Sequence, residues 1–415
     1  MISYSTHILD NGLSLLLHED ADTPLVTINI LYKVGARNEN AQRTGFAHLF
    51  EHLMFGGTRA VPDYDRVVNR LGGESNAFTN NDYTNYYLTV PAGRLEEALE
   101  LEADRMRGPL FTQRALEIQR KVVTEEYNQR YLNQPYGDMW LLLRPLCYDV
   151  HPYRWCTIGA DIRHVQEAPL EEVRDFFGRY YNPCNAIMAI AGNIRTEEVL
   201  RMVERLFGTI PNQSEAPVAL DEGLREPEPV EARRQEVSRE VPAEAFYKVY
   251  LMCDRFHPDF YCYDLISDVL SNGQSSRFYN QLVKGRGLFS EVNAYITGDV
   301  DRGLFVSGGR LCEGVRQKEA EGALDEVMEE MARRTMPAEE LQKVVNKYES
   351  TFAFSQYKAS DRAQSLCYYQ MLGHTEWVNS EPANYYPIRP EDLQRVAGQC
   401  FQPQRARTLV YKRGR

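Results

Sequence analysis

Two histidines and a glutamate lie within five residues of one another in the stretch GFAHLFEHLMFGG, residues 45–57. If this stretch is a helix, His48 and His52 are four residues apart and share a face, so their imidazoles can converge on one ion. Glu51 lies three residues after His48, which places its carboxylate beside that ion. The surrounding side chains are apolar, and burial of three ionisable groups among them is costly without a partner. A bound metal ion would remove that cost.

The order of these residues, HxxEH, is the reverse of the HExxH motif of metalloproteases. Imidazole nitrogen suits zinc, and a catalytic zinc takes three protein ligands and keeps one position open for water. Zinc would lower the pKa of that water, and Glu51 would take its proton as general base and pass it to the leaving amine of a peptide bond. The motif therefore predicts a zinc metalloendopeptidase with one Zn²⁺ per chain, and it is one ligand short.

The stretch LEIQRKVVTEEYNQR, residues 116–130, offers the third ligand as Glu125 or Glu126. An apolar stripe through Val122 and Val123 defines the core side of the helix predicted there. Glu126 is four residues beyond Val122 and three beyond Val123, so it shares their face, whereas Glu125 is turned about a third of the way round. We predict that Glu126 is the ligand.

The longer stretch VGARNENAQRTGFAHLFEHLMFGGT resembles the signature of the inverzincins, the family of pitrilysin, insulysin and the mitochondrial processing peptidase. The resemblance continues through GGESNAFTNNDYTNYYLTVP, KVVTEEY, YYNPCNAIMAIAGNI and SNGQSSRFYNQLVKGRGLFSEV, and so covers nearly the whole chain. It implies that His48, His52 and Glu126 bind zinc and that Glu51 is the general base.

The resemblance also implies a substrate-binding strand, made of Ser75, Asn76, Ala77 and Phe78. In the family a substrate peptide adds to this sheet edge through backbone hydrogen bonds, a mode that accepts many extended sequences. Asn76 and Ala77 would then flank the scissile bond. The alternative is an ordinary edge strand with no ligand.

The expected number of subunits depends on the family's substrate chamber, which is enclosed by four domains of this kind. Since this chain supplies two, the resemblance implies a homodimer or a heterodimer. The family's second domain carries an Arg and a Tyr that grip the substrate, and the matching positions here are Val283 and Ser290. We therefore favour a heterodimer with a related subunit that carries the pair, although Arg277 or Arg286 could substitute. Gln119 is a smaller departure, because the family usually has an acidic residue seven positions before its glutamate ligand.

The pattern of elements predicts an α+β fold with two similar domains, each a mostly antiparallel sheet covered by helices on one face. We expect a zinc-bearing catalytic domain over residues 1–212 and a second domain without metal over residues 241–415. Residues 213–240 are rich in Pro, Glu and Arg and poor in aromatic residues, which predicts an interdomain linker. One long helix is expected over residues 338–372.

The net charge of −12 argues against binding to nucleic acid through its phosphates. No apolar run approaches the length of a membrane span, and the N-terminal residues lack the features of a signal peptide. We therefore expect a cytoplasmic protein without a nucleic-acid or membrane partner.

Two alternatives to a zinc endopeptidase follow from the same residues. The first is a catalytically silent structural or peptide-binding subunit, but loss of catalysis would be expected to leave one of the four site residues replaced. The second is a hydrolase of another bond that uses the same zinc chemistry. The predicted substrate strand favours peptides over other substrates.

Overall fold

The computed structural model describes residues 1–214 and 224–414, and contacts within it define two compact units. The first unit comprises Met1–Asn128, Trp155–Gly223 and Phe352–Ser380; the second comprises Gln129–Arg154, Leu224–Thr351 and Glu381–Arg415. The contiguous domains expected over residues 1–212 and 241–415 remain a prediction. The compact units differ from them in assigning residues 129–154 to the second unit and 352–380 to the first.

The first unit is built on a six-stranded sheet. Its strands are β1 (Ser5–Ile8), β2 (Ser14–Glu19), β3 (Leu25–Tyr32), β4 (Glu74–Thr79), β5 (Thr84–Pro91) and β6 (Ala186–Gly192). They lie in the order β1-β2-β6-β3-β5-β4, and every pair is antiparallel except β2 with β6. Strand β4 is therefore an edge of this sheet.

The second unit is built on a five-stranded sheet that repeats this arrangement. Its strands are β7 (Arg233–Arg239), β8 (Ala245–Leu251), β9 (Phe289–Ile296), β10 (Leu304–Leu311) and β11 (Arg407–Arg413). The order β7-β11-β8-β10-β9, with only β7 and β11 parallel, matches β2-β6-β3-β5-β4 of the first sheet. Strand β9 thus occupies the edge position that β4 occupies in the first unit.

The described residues also form α-helices. In chain order they are α1 (Phe46–Leu53), α2 (Tyr64–Leu71), α3 (Leu95–Arg107), α4 (Gln113–Tyr127), α5 (Met139–Cys147), α6 (Arg163–Gln166), α7 (Leu170–Tyr180), α8 (Thr196–Phe207), α9 (Phe260–Ser271), α10 (Gln317–Arg333), α11 (Ala338–Phe354), α12 (Ala359–Met371), α13 (Trp377–Ser380) and α14 (Pro390–Cys400). Asn128–Leu132 and Tyr279–Gly285 form π-helical turns. No helix among the described residues is both long and apolar enough to cross a membrane.

Helices lie on both faces of the first sheet. The Tyr86 hydroxyl of β5 donates to the Phe50 carbonyl, so α1 lies on the face of Tyr86. Ser14 of β2 is in the row of Asn85 and points to the opposite face, where Gln370 of α12 contacts it. The predicted α+β class, with two mostly antiparallel sheets, is confirmed, and α12 is an additional helix on the second face.

Two expectations about connections differ from the structure. The helix expected over residues 338–372 is two helices, because α11 packs into the core of the second unit while α12 packs on β3 and β6 of the first. Part of the predicted linker, Arg233–Arg239, is strand β7, whose charged side chains are tolerated because it is an edge strand paired only with β11 in the described sheet. Residues 215–223 of that linker lie outside the described residues.

Candidate metal centre

Helix α1 begins at a position that the surrounding structure fixes closely. Gly45, its N-cap residue, has a φ of +87°, and a Cβ there would lie 2.8 Å from both the Ile158 carbonyl oxygen and Val165 Cγ2. The backbone N–H groups of Gly45 and Ala47 each donate to the Glu39 carboxylate over 2.8 Å. Glu39 thus satisfies donors that the first turn of a helix leaves unpaired. Burial raises the pKa of Glu39 to about 8, and the N–H donors oppose that rise.

Three side chains converge beside this helix. The Nε2 atoms of His48 and His52 are 3.4 Å apart, and Glu126 Oε2 lies 3.5 Å from the first and 3.2 Å from the second. A tetrahedral zinc ion about 2.05 Å from each donor needs donor atoms about 3.3 Å apart. The observed triangle therefore has the size that zinc requires. His48 is buried, whereas His52 and Glu126 are partly exposed, so one side of the triangle is open to solvent.

Glu126 reaches the histidines because α4 packs against α1. Val123 is fully buried and defines the inner face of α4, as expected, but Val122 is 43% exposed and does not contribute to it. Glu125 is exposed, and Gln119 is partly buried on the same helix. The structure therefore brings Glu126, and not Glu125, to the histidines, and its role as a metal ligand remains a prediction.

Glu51 lies on α1 between the two histidines in sequence and is partly exposed. Two buried phenols mark its surroundings. Burial raises the pKa of Tyr86 and of Tyr181, and the negative charge of Glu51 raises both further. Its carboxylate is thus close enough to these hydroxyl groups to act on them electrostatically. His48 and His52 lie on the same helix.

The predicted substrate strand is the edge strand β4, and α1 packs against it. Ala77 lies opposite Tyr86 in the ladder, so its side chain is on the α1 face of the sheet. The Ala77 N–H donates to Asn76 Oδ1 over 2.8 Å. The Phe78 ring contacts Tyr83 at 5.8 Å between centroids. Ser75, Asn76, Ala77 and Phe78 are therefore together at an open edge, and their role in binding remains a prediction.

The positions at which the sequence departs from the family pattern lie in the second unit. Ser290 is exposed on β9, and Val283 packs against the core from the π-helical turn. The Arg277 guanidinium is bound to Glu340 through two hydrogen bonds of 3.0 and 2.7 Å, and Arg286 is exposed and pairs with a glutamate of α10. Arg277 is thus committed to a structural ion pair, which disfavours it as a substitute for the gripping arginine.

Sequence reasoning missed Glu39 and the buried ion pair between Arg37 and Asp82. Glu39 lies six residues before the N-cap of α1, too far for the local capping patterns that are recognised in a sequence. Arg37 and Asp82 are 45 residues apart, and no pattern pairs them. The one signal was the cluster of polar residues in VGARNEN directly before the metal-binding stretch.

Two segments of the chain match models of one peptidase family, and named zinc proteases resemble most of its length. Residues 14–136 match the family described as Insulinase (Peptidase family M16), and residues 168–348 match the one described as Peptidase M16 inactive domain. The zinc protease PqqE of Helicobacter pylori is 27% identical over 410 residues, which cover 97% of this chain and 91% of that protein. The mitochondrial-processing peptidase subunit beta of Saccharomyces cerevisiae is 26% identical over 238 residues, 57% of this chain and 50% of that one.

Solved structures show the same fold. The crystal structure of a protease from Helicobacter pylori superimposes with a TM-score of 0.93 at 26% identity, and the match covers 99% of this chain and 100% of that one. The periplasmic protease PqqL from Escherichia coli gives a TM-score of 0.79 at 18% identity. The match covers 99% of this chain but 48% of PqqL, so a fold of this size makes up about half of that longer protein.

Proposed function

The chain belongs to the insulinase family, peptidase family M16, and we propose that it is a zinc-dependent endopeptidase that hydrolyses oligopeptides or unfolded segments. The observation that carries this proposal is the triangle of His48 Nε2, His52 Nε2 and Glu126 Oε2, with separations of 3.2–3.5 Å. Each of these atoms is a donor that zinc accepts, and the exposed side leaves room for water and substrate.

Zinc bound by these three residues would supply Lewis acidity, which lowers the pKa of a water molecule and polarises a carbonyl group. Glu51 acts as general base: its carboxylate accepts a proton from the attacking water. The same carboxyl group then donates that proton to the amine that leaves. Tyr86 and Tyr181 keep their protons, because burial and the nearby Glu51 charge both raise their pKa.

The edge strand β4 positions the substrate. A peptide in extended conformation pairs with this edge, and its carbonyl group replaces Asn76 Oδ1 as the acceptor for the Ala77 N–H. Backbone pairing explains how one site accepts many sequences. The Asn76 carboxamide occupies the acceptor position while no peptide is bound, which lowers the cost of an exposed strand edge.

The active form is a dimer, and a heterodimer with a related subunit is favoured. Its support is threefold: Val283 and Ser290 stand where the family carries Arg and Tyr, the yeast relative is a subunit by name, and the fold fills about half of PqqL. The cytoplasmic location stays a prediction, and PqqL, which shares the fold, is described as periplasmic.

The test is cleavage of an unstructured peptide mixture by the purified chain supplied with zinc, with Glu51→Gln as the blank. Glu51→Gln keeps the three ligands and removes the base, so it is expected to bind zinc normally and to lose at least about 100-fold in rate. Mass spectrometry of the products and light scattering of the enzyme give the cleavage sites and the oligomeric state. Cleavage by Glu51→Gln at the wild-type rate would contradict the mechanism.

Absence of cleavage by both proteins leads to a second arm, in which a related chain with Arg and Tyr at the positions of Val283 and Ser290 is added. Restored cleavage that depends on Glu51 would support the heterodimer. A mixture that binds zinc and peptide but never cleaves would instead favour the catalytically silent subunit.

A further inference from the structure

Residues 35–47, here called the bridging segment, connect the end of β3 to the start of α1 and touch the β4–β5 turn on the way. The backbone N–H groups of Ala36 and Arg37 donate to the carbonyls of Asn80 and Asn81 over 3.1 and 2.9 Å. A Cβ at Gly35 would lie 2.6 Å from both of these carbonyl oxygens. The segment therefore lies directly against the turn that ends the substrate strand, and glycine permits the approach.

A buried ion pair holds this contact. Arg37 Nη1 donates to Asp82 Oδ1 over 2.6 Å, and the two side chains are only 8% and 6% exposed. Trp155 Nε1 donates to the Ala36 carbonyl over 2.9 Å and fixes the segment from the other side. Removal of one partner of such a pair leaves the other charge buried, which is strongly unfavourable. The turn after β4 is thus locked to the bridging segment.

The other end of the segment holds α1. The Glu39 carboxylate accepts from the N–H groups of Gly45 and Ala47, and His48 is the next residue. Asn38, the residue before Glu39, is fixed as well, because its carbonyl accepts from the Tyr180 hydroxyl over 2.9 Å and its Oδ1 accepts from the Gly35 N–H over 3.0 Å. Few freely rotating residues therefore separate the contact with the β4–β5 turn from the contact with the helix.

We propose that the bridging segment sets the distance between the metal-binding helix and the substrate strand, with Glu39 holding α1 and the Arg37–Asp82 pair holding the turn after β4. None of these three side chains is placed to touch substrate, so all three are positioning residues. The proposal rests on the proposed function, because it needs the peptide on β4 and the water beside α1 to meet. Misplacement by about 1 Å costs on the order of 100-fold in rate.

The two ends of the segment predict different defects. Glu39→Gln puts an amide N–H₂ against one of the two helix N–H groups and loosens the turn that carries His48. The zinc dissociation constant, measured by competition with a chromogenic chelator, is expected to rise about tenfold, the size of one lost hydrogen bond. An unchanged zinc dissociation constant in a folded Glu39→Gln protein would overturn this half of the proposal.

Asp82→Asn is expected to leave zinc binding unchanged and to lower kcat/KM about tenfold or more, because the strand shifts relative to the helix. The matched control is Asp20→Asn, which breaks the ion pair of Asp20 with Arg362, also partly buried but beside β2, four strands from β4. Both variants should lower the Tm, and only Asp82→Asn should change kcat or KM. Equal losses of kcat/KM in the two variants would mean that Asp82 is merely structural and would overturn the proposal.

A readout that needs no cleavage separates this proposal from the proposed function. In a Glu51→Gln background, the dissociation constant of an extended fluorescent peptide reports the strand alone, and the chelator competition reports the helix alone. If no cleavage is found either with the chain alone or with the related subunit added, the proposed function fails, while these two measurements still decide the positioning roles. Weakened peptide binding by Asp82→Asn but not by Asp20→Asn supports the proposal, and equal binding by both overturns it.

Discussion

Helices α1 and α9 occupy corresponding positions in the two units, but their polar side chains have different partners. Each follows a central strand, β3 or β8, that has the same neighbours in its sheet. Helix α1 carries His48, Glu51 and His52, whereas α9 carries Asp264 and Ser267. Asp264 accepts a hydrogen bond of 2.7 Å from the Tyr385 hydroxyl, and Ser267 donates to the Asp264 carbonyl. The polar groups of α9 thus satisfy one another or a neighbour within the fold.

The difference lies in which side chain the neighbouring segment contributes to each helix. Helix α4 brings a carboxylate to two imidazoles, and within the described ranges 1–214 and 224–414 this is the one cluster of His, Cys, Asp and Glu with the geometry of a metal site. On α9 the partner is a phenol, which satisfies a carboxylate but cannot complete a metal site with it. Corresponding positions in the two units therefore gather side chains that could hold a metal ion in one unit and a carboxylate bound to a phenol in the other.

The largest effect in this comparison is expected from His52→Ala. Two donors cannot hold zinc as three do, so the variant should lose stoichiometric zinc and with it all measurable cleavage. The control is Ser267→Ala on α9, which should keep both the bound zinc and the cleavage activity. Elemental analysis after dialysis gives the zinc content, and full occupancy in His52→Ala would remove that residue from the ligand set.

Two adjacent glutamates on α4 allow its contribution to the site to be tested. Glu126→Gln removes the carboxylate from the triangle and is expected to weaken zinc binding by more than roughly 100-fold. Loss of a residue that only hydrogen-bonds to a metal ligand costs less than this. Glu125→Gln changes the same functional group one residue earlier, on the exposed side, and should bind zinc as the wild type does. If chelator competition gave the reverse order, the assignment of the third ligand would be wrong.

A substitution on the edge strand β4 is expected to have a smaller effect, and one that is specific to substrate binding. Ala77→Pro deletes the outward N–H, and proline is tolerated on an edge strand when its nitrogen faces away from the sheet. We expect kcat/KM to fall about tenfold, as for one lost backbone hydrogen bond to the substrate, with little change in Tm. Ala77→Ser keeps the N–H and the small side chain and serves as the control. Equal kcat/KM for both variants would argue against peptide pairing at this edge.

The proposed metal-binding stretch could be found in the sequence because the spacing of its histidines is a local feature. Helical spacing alone brings His48 and His52 together, and the turn residues around β4 and β5 predict that hairpin. Glu126 was selected with an argument that holds through Val123 but not through the exposed Val122. What local spacing fixes could be predicted, and a single ligand from a second helix could be proposed but needed the fold to bring it in.

Features that depend on distant contacts could not be predicted. Glu39 reaches across six and eight residues to the backbone of α1, and backbone donors carry no mark in a sequence. Arg37 and Asp82 are 45 residues apart in the sequence, and only the tertiary fold brings them together. The break between α11 and α12 follows from their packing in different units, although both read as one helical pattern. Each of these was decided by tertiary contacts that override local propensity.

The smallest effect on cleavage, and a purely structural one, is expected at Asp264 in the counterpart helix. Burial raises the pKa of this carboxyl group to about 6, against the lowering effect of the Tyr385 hydroxyl; the charges of Asp268 and Glu381 add to the rise and that of Arg255 opposes it. Since the folded-state pKa lies above the unfolded value, the stability from the protonated group is complete below about pH 4 and is lost as pH rises through about 6.

Asp264→Asn keeps an acceptor for Tyr385 without a charge to bury, so it should remove this loss. The free energy of unfolding of wild type, relative to the variant, is expected to fall by about 2–3 kcal/mol between pH 4 and 7, by linkage at about 1.4 kcal/mol per pKa unit. Urea titrations across this range give the difference, in which the other groups of both proteins cancel. A difference that stays constant with pH would show that folding leaves the pKa of Asp264 unchanged. Any loss of cleavage in the variant would mean that α9 does more than stabilise its unit.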